Sequence, residues 1–266
     1  MVNKAGMNEE GLNEAGMNEA GMNEAGMNDS GMNEEGLNDS GKDWAVMSDG
    51  IVSLDPAEFL RELARERLLA IIRGNDPEVA VQAALALTGS GIRFLEVSLV
   101  TADALSVIAE VVRRAPAGSV IGAGTVLSRD DVDRAQQAGA RFMVTPALTE
   151  SVAESVSRGI PVLAGAFTPT EVVAAMRTGA TAVKLFPSGM GGPAYLRALR
   201  DPLPGIPLVP VGGVDAALAA EYLASGAVAV GVGSPLVGDA ARGGDLGALR
   251  RRASEFLSVA SAPRPS

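Results

Sequence analysis

Residues 160–186 read IPVLAGAFTPTEVVAAMRTGATAVKLF, and they contain two short apolar runs separated by an amphipathic segment. The runs cover 160–163 and 181–186, and the segment between them predicts a helix over 168–177. Gly179 follows that helix at the position where a left-handed C-terminal cap is expected, and Gly91, Gly139, Gly159 and Gly226 follow other predicted helices in the same way. This stretch therefore predicts one strand–helix–strand unit of a parallel sheet.

The same alternation continues over residues 51–266. Eight apolar runs predict strands, at 68–72, 93–99, 119–122, 141–144, 160–163, 181–186, 207–211 and 228–232. Helices are predicted at 56–67, 76–88, 101–114, 129–137, 149–157, 168–177, 192–199, 215–224 and 246–260. The first is a lead-in helix with Asp55 as N-cap and Pro56 at its first position. Eight such units predict a TIM (β/α)8 barrel, because the alternative, an open doubly wound sheet, has no reason to stop at eight equal units.

Residues 1–50 differ in composition from the rest of the chain. They hold eleven of the 32 acidic and two of the 22 basic residues, so a net charge of −9 lies here and −1 over 51–266. A pentad of Gly, Met or Leu, Asn, an acid and a variable residue repeats seven times from Gly6. A period of five forms no apolar face on a helix or a strand, and we therefore expect a disordered tail. It is either a methionine-studded interaction tail or a low-complexity extension without a selected role.

The composition excludes several kinds of chemistry. The chain contains no histidine and no cysteine, so Ser-His-Asp relays, histidine-ligated metals, thiolate nucleophiles and disulfides are absent. A general acid or base must then be a carboxylate, a lysine, a tyrosine or water. The acidic balance argues against nucleic acid, and no apolar run has the length of a membrane span. With no export signal visible, we expect a soluble cytoplasmic protein.

Polar side chains at the carboxyl ends of the predicted strands are the candidates for catalysis, because TIM-barrel active sites lie there. Lys184 lies in a run that otherwise predicts a fully buried strand, so it must pair with an acid or lose its proton. A neutral amine attacks carbonyls to form a Schiff base. Glu96 is an acid in another apolar strand and could shuttle protons. Alternatively, Glu96 only neutralises Lys184 or Arg73, or Lys184 reaches the barrel rim.

Two glycine-containing pairs follow the seventh and eighth predicted strands. They are Gly212-Gly213 and Gly233-Ser234. TIM barrels often bind phosphate at these two strands, and glycine lets backbone N–H groups approach the phosphate oxygens. The two pairs predict a phosphate site, although βα loops also use glycine for turns.

Residues from about 56 to 260 resemble the class I 2-keto-3-deoxy-6-phosphogluconate (KDPG) aldolase family, including its 6-phosphogalactonate (KDPGal) branch. The similarity lies in Leu95-Glu96-Val97, Gly122-Ala123-Gly124-Thr125-Val126-Leu127, Val144-Thr145-Pro146, Thr168-Pro169-Thr170-Glu171, Lys184-Leu185-Phe186-Pro187-Ser188, Val211-Gly212-Gly213-Val214 and Gly231-Val232-Gly233-Ser234. These motifs occur in family order and fall on the predicted strand ends. The tail lies outside the resemblance.

The resemblance implies a metal-free aldolase that cleaves a phosphorylated keto acid to pyruvate and glyceraldehyde 3-phosphate. It implies Lys184 as Schiff-base nucleophile and Glu96 as acid and base. It also places Thr125 and Pro146 at the pyruvyl end, Phe186 against the imine, and Gly212, Gly213, Gly233 and Ser234 around the phosphate. It further implies a homotrimer and no cofactor.

Two positions depart from the KDPG pattern. Val100 stands where many KDPG aldolases have a carboxylate-binding arginine, and Arg73 resembles an arginine of other members that could replace it. Val211 stands where KDPG aldolases usually have threonine, as in the KDPGal branch, so a hydroxyl partner for the sugar is missing. We therefore expect a galactonate-type or dual-specificity enzyme. The rival hypotheses are a catalytically inactive barrel that serves as an oligomeric scaffold and a phosphosugar isomerase or synthase on the same fold.

Overall fold

The computed structural model describes residues 54–263. The predicted disordered tail over 1–50 lies outside the described residues. None of the helices within 54–263 is long and apolar enough to cross a membrane.

Strands and helices alternate through the whole described chain. The strands are β1 Leu68–Ile72, β2 Phe94–Ser98, β3 Val120–Gly124, β4 Met143–Val144, β5 Val162–Ala166, β6 Ala182–Leu185, β7 Leu208–Pro210 and β8 Val230–Val232. The α-helices are α1 Pro56–Glu66, α2 Pro77–Gly89, α3 Ala104–Arg114, α4 Arg129–Gln137, α5 Glu150–Ser157, α6 Pro169–Arg177, α7 Gly192–Arg200, α8 Ala216–Ala224, α9 Ser234–Val237 and α10 Leu246–Ser261. Two 3-10 helices, Ser188–Met190 and Ala240–Arg242, complete the set.

The eight strands form one parallel sheet that curls into a barrel. Each strand from β1 to β6 pairs with the next in sequence, and β8 pairs with β1. The seam between β7 and β8 is joined by a bridge between Val211 and Gly231 and by the Val228 N–H, which donates to the Leu208 carbonyl at 3.0 Å. The predicted (β/α)8 barrel is therefore confirmed.

Helix α1 covers the amino-terminal end of the barrel. Asp55 accepts hydrogen bonds from the backbone N–H groups of Ala57 and Glu58, as its predicted role of N-cap requires. Phe59 of α1 is fully buried, and its ring lies 5.4 Å from that of Phe94 and 5.1 Å from that of Phe142. Because α1 fills this end, the opposite end, at the carboxyl termini of the strands, is left for a site.

The helix boundaries follow local rules of the sequence. The five glycines predicted as C-terminal caps all have positive φ, namely Gly91, Gly139, Gly159, Gly179 and Gly226. Helices α4 and α6 also begin with capping boxes, formed by Ser128 with Asp131 and by Thr168 with Glu171.

Strands β3 and β5 extend further than predicted, to Gly124 and Ala166 instead of residues 122 and 163. Glycine weakens an isolated strand, so the sequence pattern ends too early at these points. In the barrel, glycine fits because neighbours occupy the space of a side chain: the Phe142 ring lies against Gly122, and the Pro146–Ala147 backbone lies against Gly165. Packing across strands thus outweighs the local preference.

Candidate active site

Alternation along the strands directs Glu96 and Lys184 into the barrel. Side chains of successive strand residues point to opposite faces, and Phe94 of β2 and Ala182 of β6 belong to the interior cluster. Glu96 follows Phe94 by two residues, and Lys184 follows Ala182 by two residues. Both side chains therefore point inward, one layer closer to the open end of the barrel. Glu96 is 2% and Lys184 6% exposed.

A cavity of about 870 Å³ opens at the carboxyl ends of the strands. All eleven residues that the sequence analysis singled out line it: Arg73, Glu96, Thr125, Pro146, Lys184, Phe186, Val211, Gly212, Gly213, Gly233 and Ser234. The structure thus brings together residues spread over 162 positions of the chain. Among residues 54–263, no group of three or more acidic side chains is arranged to hold a metal ion.

The Glu96 carboxyl is held in a desolvated place. Burial raises the pKa of this carboxyl, while the positive charges of Lys184 and Arg73 act in the opposite direction without overcoming it. Its Oε2 atom is buried without a hydrogen-bond partner among the described residues. The carboxyl lies directly over Gly124, in the space that a Cβ atom there would need. A buried acid with a free oxygen beside a cavity is suited to taking up and returning a proton.

The Lys184 amine faces the cavity without an acid attached to it. Within residues 54–263, no ion pair includes Lys184, although Glu96 is close enough for their charges to interact. Its Nζ atom lies 5.2 Å from the centre of the Phe186 ring, which is 38% exposed. The direct Lys184–Glu96 ion pair considered from the sequence is therefore not formed, and the amine is accessible to a ligand.

The loops after β3 and β4 are rigidly placed beside these two groups. Thr125 has a φ of 60°, a left-handed conformation that costs a β-branched residue on the order of 1–3 kcal/mol. Its hydroxyl shares a 2.7 Å hydrogen bond with Ser98. The Thr145 hydroxyl accepts from the Gly165 N–H at 3.1 Å and donates to the Ala147 carbonyl at 2.7 Å, which fixes the intervening Pro146.

Several backbone N–H groups lie together at the carboxyl ends of β7 and β8. Gly212 and Gly213 have φ values of 105° and 72°, which L residues rarely adopt. Among the described residues, the N–H groups of Gly212, Gly213 and Gly233 donate to no other backbone group, and the Ser234 hydroxyl has no partner. These donors can receive the oxygens of an anion.

Several residues that the sequence analysis missed support or line the cavity. The buried Tyr222 donates from its hydroxyl to the Ser188 carbonyl at 2.8 Å, and Ser188 in turn donates to the Gly212 carbonyl at 3.2 Å. Burial raises the pKa of Tyr222, which keeps this phenol a donor. Asn75 and Arg242 line the cavity from the loops after β1 and α9. No motif marked Asn75 or Arg242, because the connections in which they lie have no periodic pattern.

The two positions that departed from the KDPG pattern also line the cavity. Val100 is 59% exposed and offers no charge, whereas Arg73, in the loop after β1, places a cation close enough to act on Glu96. Val211 presents an apolar side chain next to Gly231 at the barrel seam. The cavity therefore has the cation of Arg73, from the loop after β1, and no cation at position 100 in the loop after β2.

A (β/α)8 barrel with a buried lysine and a buried acid at the carboxyl ends of its strands has the architecture of an enzyme active site. Comparison with known proteins agrees with this class. A family model described as KDPG and KHG aldolase matches residues 60–251. A probable 2-dehydro-3-deoxy-6-phosphogalactonate aldolase of Rhizobium meliloti is 38% identical over 194 residues, which cover 72% of this chain and 90% of that protein.

Two further relatives represent the gluconate branch. A 2-dehydro-3-deoxy-phosphogluconate aldolase of Treponema pallidum is 37% identical over 164 residues, covering 61% of this chain and 78% of that protein. The crystal structure of KDPG aldolase from Legionella pneumophila, with pyruvate captured at low pH as a covalent carbinolamine intermediate, superposes with a TM-score of 0.68. It is 27% identical and covers 75% of this chain and 97% of that one.

This chain belongs to the KDPG and KHG aldolase family. It is accordingly an aldehyde-lyase, an enzyme that breaks a carbon–carbon bond.

Proposed function

We propose that this enzyme cleaves 2-keto-3-deoxy-6-phosphogalactonate, alone or together with its gluconate epimer, to pyruvate and glyceraldehyde 3-phosphate. The observation that carries the proposal is the arrangement of Lys184 and Glu96, both buried and unpaired by hydrogen bonds or ion pairs among the described residues, at one cavity. The relatives named above include a phosphogalactonate aldolase and a phosphogluconate aldolase, so the comparisons support the substrate class.

The reaction begins with Lys184. Its neutral amine adds to the C2 ketone, and Glu96 gives its proton to the departing hydroxyl, so that loss of water leaves a protonated imine and the Glu96 carboxylate. Glu96, acting through a water, takes the proton of the C4 hydroxyl. The electrons of the C3–C4 bond then move into the imine, and glyceraldehyde 3-phosphate leaves with a new aldehyde at C4. The resulting enamine is protonated at C3, and hydrolysis of the imine releases pyruvate and restores the amine.

The remaining residues hold the two ends of the substrate. Arg73 and Thr125 bind the carboxylate, Pro146 and Phe186 enclose the imine, and the backbone donors of Gly212, Gly213 and Gly233 with Ser234 receive the phosphate. No cofactor takes part, because the lysine itself provides the electron sink. Preference for the galactonate epimer follows from Val211, which has no hydroxyl to bind the sugar chain.

Borohydride reduction in the presence of pyruvate tests the mechanism. We expect a reduced pyruvyl adduct on Lys184, detected by peptide mass, and its loss in Lys184→Met. The absence of the adduct in an active enzyme would favour a phosphosugar isomerase or synthase, and its absence in an inactive one would favour a scaffold.

Kinetics on the two epimers test the specificity. We expect kcat/KM on KDPGal to equal or exceed that on KDPG, and a strong preference for KDPG would refute the role given to Val211. By the same family resemblance, we propose a homotrimer, which sedimentation equilibrium can test directly, and we also propose a cytoplasmic location.

A further inference from the structure

One cationic side chain at the cavity has no role in the mechanism above. Within the described part of the chain, Arg73, Lys184 and Arg242 are the cations that line the cavity, and Glu96 is the acid. Lys184 forms the imine. Arg73 is assigned to the substrate carboxylate in the proposed function, and its charge acts on Glu96. Arg242 is left at the rim.

The backbone that carries Arg242 is fixed in place. Arg242 ends the 3-10 helix Ala240–Arg242, in which both alanines are buried. The carbonyl of Ala241 packs so closely on Gly74 that a Cβ atom at that glycine would lie 2.8 Å from it. Helix α9, which precedes this turn, is also held: Arg252 of α10 donates to the carbonyls of Leu236 and Val237 at 2.7 and 2.8 Å. The Arg242 side chain is thus exposed on a well-anchored turn.

The charge of Arg242 is not neutralised by the protein. Between residues 54 and 263, its guanidinium forms neither an ion pair nor a side-chain hydrogen bond. Of the acids nearest in sequence, Asp239 has its carboxylate against Gly244 and forms no ion pair with Arg242 in the described part of the chain. Asp245 accepts from the Gly247 N–H at 2.6 Å and pairs with Arg251. An arginine of this kind at a cavity wall favours an anionic ligand, to which it can make two parallel hydrogen bonds.

The anion subsite nearest to Arg242 along the chain is the one formed by Gly233 and Ser234. Gly233, Ser234, Gly238 and Arg242 all line the cavity from the segment that follows β8. We infer that Arg242 binds the phosphate of the substrate across from these backbone donors and makes the enzyme selective for phosphorylated over unphosphorylated keto acids. The inference rests on the proposed function, and it assigns one arginine to each anionic end of the substrate.

The experiment compares Arg242→Ala with the matched control Arg250→Ala, which removes an exposed arginine of α10 that does not line the cavity. Three quantities are measured: kcat/KM on KDPGal, kcat/KM on 2-keto-3-deoxygalactonate, which has no phosphate, and the inhibition constant of inorganic phosphate. The borohydride adduct with pyruvate serves as the measure of an intact Schiff-base site.

For Arg242→Ala, we expect kcat/KM on KDPGal to fall about ten- to a hundredfold, as for loss of a charged hydrogen bond. The inhibition constant of phosphate should rise in parallel, while the unphosphorylated substrate and the pyruvate adduct are unaffected. Arg242→Lys should recover part of the loss. Arg250→Ala should behave as wild type.

Equal losses on both substrates, or no loss on KDPGal, would overturn the inference while leaving the aldolase intact. If the wild-type enzyme cleaves neither phosphorylated epimer and forms no adduct, the proposed function itself fails, and the inference falls with it.

Discussion

Replacing Gly124 by alanine should displace the carboxyl of Glu96, the proposed acid–base group, and leave the amine of Lys184 in place. A Cβ atom on residue 124 would lie 2.9 Å from Cγ of Glu96 and would overlap its carboxyl, where ordinary contacts are 3.4–4 Å. Gly124 does not have a positive φ, so the backbone accepts alanine and the effect comes from this contact alone. The Glu96 carboxyl lies between Gly124 and the cavity, so it must move by about 1 Å from the place described above.

The expected cost has two parts. Overpacking of this kind destabilises a core by about 1–3 kcal/mol, and a 1 Å displacement of a catalytic group can cost about a hundredfold in rate. We therefore expect kcat on KDPGal to fall about a hundredfold at a temperature well below Tm. The pyruvate adduct on Lys184 should still form, because the amine is not displaced.

Gly89→Ala is the matched control. A Cβ atom at Gly89, the last residue of α2, would have nothing within 4 Å. It should leave kcat unchanged and alter stability by less than about 1 kcal/mol. If Gly124→Ala folds normally and keeps kcat within about twofold of wild type, the position of the Glu96 carboxyl is not what the reaction depends on.

One change of pH and three substitutions test the site further. Because burial raises the pKa of Glu96 above the ordinary 4.5, kcat should fall as the pH drops through that raised value. The same burial disfavours the ionised form in the folded state, so Glu96→Gln should raise Tm more at pH 8 than at pH 4, and an equal gain at both pH values would contradict this. Arg73→Ala should raise KM for pyruvate-type ligands about tenfold, as for a lost charged hydrogen bond, and an unchanged KM would show that Arg73 does not bind the carboxylate. Val211→Thr should shift the ratio of kcat/KM values towards KDPG by about tenfold, which kinetics on both epimers can measure.

The sequence pattern predicts most of the barrel because its signals are local. Apolar runs and capping glycines such as Gly91 and Gly226 depend on neighbours a few residues away, and these elements lie where expected. The predicted ends of β3 and β5 are wrong, because the residues that pack against the glycines of these strands are distant in sequence. Phe142 against Gly122 is an example.

The residues of the candidate site were likewise predictable only where the signal is local in the sequence. Lys184 and Glu96 stand out in the sequence because a charged residue interrupts an apolar strand. Arg242 does not, since it is one of several arginines after the last strand and only the fold of the Ala240–Arg242 turn brings it to the cavity. The contact between Glu96 and Gly124 likewise depends on the pairing of β2 with β3, where Ser98 is the strand partner of Gly124.

The bridge between Val211 and Gly231 places the residue proposed to select the substrate epimer at the point where the barrel closes. Val211 donates its N–H to the Leu185 carbonyl at 3.0 Å and accepts from the Ser188 N–H at 2.9 Å, so its backbone joins β6, β7 and β8 at the seam. Its side chain occupies the space that Gly231 leaves open. Threonine has nearly the same shape as valine and can be exchanged here, whereas a bulkier residue would push β8 away. Residue 211 can therefore change in chemistry but hardly in size. Substitutions that test the proposed sugar preference are limited to side chains of about the volume of valine, since larger ones would separate β8 from β7.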